Sequence, residues 1–229
     1  MKLIKRISEN FDERAAPVDM LILHYTGMKT GDEALARMCD PVSKVAAHFC
    51  VEEDGRTFWL VGEDKRAWHA GASCWKGETD TNSRSIGVEI VNPGHEFGYR
   101  AFPKEQIGSV IRLCREILAD HDIPAAHVLG HSDVAPGRKE DPGELFPWAV
   151  LAKKDIGLFP SVDVEPARLE ESDAFSSALD KFGYDVDNND LTKVIIAFQR
   201  HFMPDCIGTE REGVADARGL AILAELNRS

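Results

Sequence analysis

Residues 127–148 read HVLGHSDVAPGRKEDPGELFPW. Val128 and Leu129, held between two histidines, have the look of a short buried strand, and from Ser132 onward the chain becomes a loop dense in Gly, Pro and charge. Loops at strand ends are where sites are built, so this stretch asks which other strands end beside it. Residues 19–26 (DMLILHYT) are an apolar run closing on polar residues after Pro17, the pattern of a buried strand with His24 at its end. Residues 85–92 (SIGVEIVN), stopped by Pro93-Gly94, are another, with Glu89 in the middle. Residues 47–53 and 57–61 flank Asp54-Gly55-Arg56, the turn chemistry of a hairpin. Helical patterns fall between the strands. Residues 31–40 carry acids in their first turn and end at Pro41. In residues 104–122, Ile107, Val110, Ile111, Leu113, Cys114, Ile117 and Leu118 recur at helical spacing after Pro103. Strands with interspersed helices predict an α/β or α+β layer around a central sheet.

Beyond Trp148 the pattern changes. Residues 157–170 carry prolines and no periodicity and read as a linker, and residues 172–183, 191–203 and 214–227 read as three short helices. The predicted organisation is therefore one domain over 1–156, a linker over 157–170 and a small helical domain over 171–229.

Composition excludes several classes. The 229 residues are 43% hydrophobic and 29% charged, a globular balance, and no apolar run approaches the ~18 residues of a membrane span. Against 39 acidic residues stand 27 basic ones, a net charge of -12, which disfavours nucleic acid as a partner. The basic N-terminus runs into polar residues rather than an apolar signal core. Five scattered cysteines without C-x-x-C spacing read as reduced thiols. Both features predict a cytoplasmic location, and nothing in the sequence specifies an oligomeric state.

His24, His131 and Asp141 are metal-capable, and two imidazoles with one carboxylate leave a tetrahedral zinc an open position for water. Eight histidines offer many such triples, so spacing alone does not single this one out. Lys139, read alone, is a solvated lysine beside Arg138 and Glu140. Glu89 lies inside an apolar strand, where a buried carboxylate demands a partner or a role, unless the strand is an edge with Glu89 facing solvent. His48 reads as structural or as support for a ligand. Trp68, Trp75 and Trp148 offer either sugar-stacking faces or core.

Residues 130–148 closely resemble the signature of the zinc-dependent N-acetylmuramoyl-L-alanine amidases of the type 2 family. LILHYTG at 21–27, AAHFCVEEDGRTFWLV at 46–61, AWHAGASCW at 67–75 and SIGVEI at 85–90 agree in order, so the resemblance spans most of residues 18–148. It implies an α/β fold with a central mixed β-sheet flanked by helices, and a Zn2+ cofactor held by His24, His131 and Asp141. It also implies Lys139 as the oxyanion-stabilising cation and Glu89 as the general base. Phage-type members use a tyrosine where this chain has Ala47, so the proton falls to Glu89. Tyr25, Trp68, His69, Asn82 and Arg84 are the implied substrate-binding residues, with packing or surface roles left open for His69 and Arg84. The implied reaction is hydrolysis of the amide between N-acetylmuramic acid and the L-alanine of the stem peptide, in peptidoglycan or soluble anhydro-muropeptides. Some members with this fold lose a ligand and only bind peptidoglycan; here all three ligands and Lys139 are present. Residues 170–229, with A-F-Q-R-x-F at 197–202, resemble the three-helix type 1 peptidoglycan-binding module. A wall-binding tail would suit a periplasmic substrate, the alternative to the cytoplasm.

Overall fold

The computed structural model describes residues 1–228. In chain order the elements are β1 (Leu3–Lys5), β2 (Phe11–Glu13), β3 (Met20–Tyr25), α1 (Gly31–Cys39), β4 (Phe49–Val51), β5 (Thr57–Trp59), β6 (Lys65–Ala67), α2 (Thr81–Arg84) and β7 (Ser85–Ile90). They continue with α3 (Gly94–Phe97), α4 (Lys104–Asp120), β8 (Val128–Gly130), α5 (His131–Val134), α6 (Trp148–Ala152), α7 (Asp173–Phe182), α8 (Leu191–Phe202) and α9 (Ala217–Leu226). Six strands form a mixed sheet in the order β1-β5-β4-β7-β3-β8, and β2 pairs antiparallel with β6 in a second, two-stranded sheet. Within the large sheet every neighbouring pair is parallel except β4 and β5, the expected hairpin.

The sheet is covered on both faces, which is why its central strands read as nearly continuous apolar runs. Leu21, Leu23, Ile86, Val88 and Ile90 point to one face and pack on Ile107, Val110, Leu113, Cys114 and Ile117 of α4, with Trp148 and Leu151 of α6 closing the edge. Met20, Ile22 and Leu129 point to the other face, into a core shared with Phe175, Leu179, Phe198 and Leu223 of α7, α8 and α9. Each such side chain contributes about 1.5–3 kcal/mol when fully buried. Helix α1 covers the hairpin end through Ala34, Leu35 and Met38.

Two features differ from the pattern-based expectation. Residues 81–84, where no element is expected, form a short helical turn that leads directly into β7. The three C-terminal helices occupy the expected places, but their apolar faces pack into the sheet's own core. Residues 157–170, expected as a linker, contain no helix and only the isolated bridge between Arg168 and Asp216.

Candidate active site

Parallel strands set the site. In open sheets with parallel strands, ligands bind outside the carboxyl ends, and the C-terminal ends of β3, β7 and β8 meet here. Cross-strand register places His24 opposite Glu89. Side chains alternate across a strand, so His24 falls on the face of Met20 and Ile22, and Glu89 shares that face. Strand β8 ends at Gly130, and the next residue, His131, starts α5.

His24 comes together with His131 and Asp141, more than a hundred residues later in the chain, in a buried triangle. His24 Nδ1 lies 2.9 Å from His131 Nδ1 and 3.0 Å from Asp141 Oδ2, and His131 Nδ1 is also 3.0 Å from Asp141 Oδ2. They are 1%, 3% and 5% exposed. The outer nitrogens decide what this triangle is for. His131 Nε2 donates to the Ala70 carbonyl at 2.9 Å. His24 Nε2 lies 3.0 Å from His69 Nδ1, His69 Nε2 lies 3.2 Å from Ser85 Oγ, and Ser85 Oγ donates to the Thr81 carbonyl at 2.6 Å. Because that chain ends on a carbonyl, its donors run from His24 outward. Both Nδ1 lone pairs therefore face each other and a carboxylate oxygen without a proton between them, a convergence that a cation relieves. Two imidazoles and a carboxylate are a zinc donor set with one position left open, and outer hydrogen bonds that fix the ligand tautomer are the usual support of such sites.

Burial, followed by repulsion from His131, lowers the His24 pKa to about 4, so the ring is neutral at pH 7. Gly87 makes room for the relay, since a Cβ there would stand 2.5 Å from the His69 ring.

The triangle opens into a cavity of about 490 Å³ lined by Tyr25, Trp68, His69, Asn82, Glu89, His131, Lys139 and Asp141. Glu89 has one buried oxygen, Oε2, without a hydrogen-bond partner among the described residues. Burial first, and the Asp141 charge second, raise its pKa well above the usual value, opposed by Lys139. Lys139 makes no ion pair among the described residues, so its ammonium is available to the cavity.

The structure brings together nine of the ten expected site residues: eight line the cavity, and His24 lies buried behind them. Arg84 is placed elsewhere, because it sits at the opposite end of β7 from the cavity and its guanidinium is engaged by Asp19, with Nε 3.0 Å from Oδ1. Asn82 acts through its side-chain oxygen, which accepts from the Ala70 backbone N–H at 2.8 Å and so fixes the loop beneath His131. Trp68 presents its ring to the cavity while Nε1 donates to Asp12 at 2.7 Å. Trp75 and Trp148 are core. His48 is fully buried, with Nδ1 accepting from the Gly87 N–H, a structural role. Sequence reasoning missed Arg37 and Lys44 on the rim and Arg138, which donates to the Ala70 and Ala72 carbonyls at 2.7 and 2.6 Å. A helix-end arginine and a turn lysine carry no signal of their own; only the fold turns them toward the cavity.

Comparisons with known proteins identify the family and the fold. Residues 14–144 match the family model described as N-acetylmuramoyl-L-alanine amidase. The chain is 35% identical to the N-acetylmuramoyl-L-alanine amidase AmiD of Escherichia coli over 91% of its own length and 82% of that protein. It is 37% identical to the 1,6-anhydro-N-acetylmuramyl-L-alanine amidase AmpD of Escherichia coli over 49% of its length and 61% of that protein. The solved complex of Escherichia coli AmiD with anhydro-N-acetylmuramic acid-L-Ala-D-gamma-Glu-L-Lys superposes with a TM-score of 0.83 at 32% identity, covering 96% of this chain and 98% of that one. With a match over more than half its length and the His24, His131 and Asp141 cluster at the mouth of the sheet, this chain belongs to the N-acetylmuramoyl-L-alanine amidase family.

Proposed function

We propose that the protein hydrolyses the amide between N-acetylmuramic acid and the L-alanine of the stem peptide, using a zinc ion held by His24, His131 and Asp141. The observation that carries this reading is the buried triangle of His24 Nδ1, His131 Nδ1 and an Asp141 carboxylate oxygen opening into a cavity that also holds Glu89 and Lys139. When bound there, zinc supplies Lewis acidity for the scissile carbonyl and lowers the pKa of the attacking water toward ~7. Glu89 Oε2 takes the proton from that water. Its raised pKa suits it to hold the proton through the tetrahedral stage and return it to the leaving amine. Lys139 places a cation against the developing oxyanion. Trp68 and Tyr25 supply apolar walls, and the His69, Ser85 and Thr81 relay keeps His24 in the tautomer that presents Nδ1.

Arg37, Lys44, Arg138 and Lys139 outnumber Glu89, Glu140 and Asp141 around the cavity of a chain with net charge -12. This local reversal favours an acidic substrate, as a peptide-bearing muramic acid is. We favour soluble anhydro-muropeptide over intact wall and a reducing compartment, on the free state of all five cysteines. The C-terminal helices, whose sequence resembles a peptidoglycan-binding module, would supply a second contact to glycan. No helix among the described residues is long and apolar enough to cross a membrane.

Mass spectrometry of soluble anhydro-muropeptide and of intact sacculi after digestion, with and without chelator, tests the reading. Chelator-sensitive release of free stem peptide that His131→Ala abolishes is the expected result. A zinc-loaded protein that releases nothing from either substrate favours a peptidoglycan-binding role instead.

A further inference from the structure

The segment from His131 to Asp141 carries two expected metal ligands and Lys139, and it is gripped along its length by one helix from the far end of the chain. At its start, Asp133 is fully buried and accepts three hydrogen bonds. These come from the Gly130 N–H at 2.7 Å, from the Tyr184 hydroxyl at 2.6 Å and from His201 Nδ1 at 2.7 Å. His201 is itself stacked on Trp148 with ring centroids 3.8 Å apart. In the middle, Gly137 lies so close to the Lys193 stem that a Cβ would stand 2.4 Å from Lys193 Cδ. Near its end, Arg200 Nη2 donates to Glu140 Oε1 at 2.9 Å, between Lys139 and Asp141 in sequence. The two ends of the segment are tied to each other as well, because the Ser132 N–H donates to the Asp141 carbonyl at 2.9 Å.

We infer that α8 is a positioning element of the active site, with His201 and Arg200 setting where His131, Lys139 and Asp141 stand relative to one another. The inference rests on the metal site proposed above. A buried carboxylate accepting three donors has one well-defined position, and Asp133 transmits that position to the turn on which His131 begins. Arg200 restrains the other end through the residue next to Asp141. Neither side chain lines the cavity. On this view the C-terminal helices complete the amidase itself, whatever they also contact in the cell wall.

The test uses the full chain. Zinc dissociation constants are measured by competition with a chromophoric chelator for wild type, His201→Gln, Arg200→Met and the core variant Phe175→Leu. Phe175 lies in α7 and packs on Phe198 of α8 without a hydrogen bond to the segment, so it reports the effect of loosening the shared core alone. Loss of partners outside the ligand set weakens metal affinity by about 10–100-fold, and His201→Gln is expected at about tenfold while Phe175→Leu lowers only the melting temperature. Arg200→Met is expected to lower kcat on anhydro-muropeptide with KM unchanged. The reciprocal exchange of Arg200→Glu with Glu140→Arg should restore part of that loss. If His201→Gln and Arg200→Met bind zinc and turn over as wild type does, or behave as Phe175→Leu does, the inference is overturned. A wild-type chain that holds no zinc refutes the metal site and the inference together, so the two failures are distinguishable.

Discussion

Glu89→Gln is expected to make the enzyme slower and the metal-free protein more stable. The substitution keeps the shape of the side chain and removes its ability to ionise. A positioned general base is worth about 10²–10⁴ in rate, or about 3–5 kcal/mol at ~1.36 kcal/mol per tenfold. The structure places the loss in the upper half of that range, because no substitute base faces the open position. Asp141 would be taken up as a ligand when metal is bound, the His69 ring nitrogens are committed to His24 and Ser85, and Glu140 is turned toward Arg200. The stability effect has the opposite sign. Burial raises the Glu89 pKa in the folded state, so the native protein holds this proton more tightly than the unfolded chain does. Its contribution is fully present below the unfolded carboxyl pKa and is lost as pH rises through the folded value. Glutamine does not pay that cost, and its advantage over wild type should therefore grow with pH above ~4.3. Thermal unfolding of chelator-stripped protein from pH 4 to 9 reads the effect, at about 2–4 °C per kcal/mol for a chain of this size. Release of stem peptide, followed by chromatography, reads the rate. A variant that turns over within threefold of wild type, or that is less stable than wild type at pH 8 and above, refutes the assignment of Glu89 as a desolvated base.

The wild-type rate should fall on the acid side through the Glu89 pKa, and the acid limb should be missing from the residual activity of the Gln variant. Lys139→Ala is expected to leave zinc affinity near wild type by chelator competition while kcat drops about 10²–10³-fold, the value of one oxyanion partner; equal kcat would return Lys139 to solvent. Gly87→Ala puts a methyl group 2.5 Å from the His69 ring, and overpacking of this kind costs about 1–3 kcal/mol. Its zinc affinity should fall with its melting temperature, and an unchanged affinity would show that His24 does not depend on the His69 relay.

Much of this was legible in the residues, and the reasons differ by element. The long apolar strands β3 and β7, the hairpin at Gly55 and the amphipathic α4 announce themselves, because burial on one face or both imposes a period over many residues. The three-residue strands β1, β2 and β6 do not. Lys65–Ala67 is mostly charged, and its pairing with Phe11–Glu13 is decided by the partner strand rather than by a pattern of its own. The site was legible through motif resemblance more than through spacing, since no local rule connects His24 to an aspartate 117 residues later. Arg84 shows the limit of carrying a substrate-binding residue over from a resemblance. It lies five residues from Glu89, yet an extended strand carries those five residues from one end of the sheet to the other.

By itself, the sequence determined the elements with strong periodicity, the chemical kinds of residue available at strand ends and the acidic character of the whole chain. Only the tertiary structure decided which nitrogen of each histidine faces inward, because that depends on carbonyls and hydroxyls brought from Ala70, Ser85 and Thr81. It alone decided that basic side chains gather at the cavity of a negative chain, and that the last helices share the sheet's core beneath His24, His131 and Asp141 instead of standing apart. The physical reason is common to all three. Periodicity and composition record what one segment needs from its surroundings, whereas tautomer, local field and packing partner are properties of groups that meet only after the chain has folded.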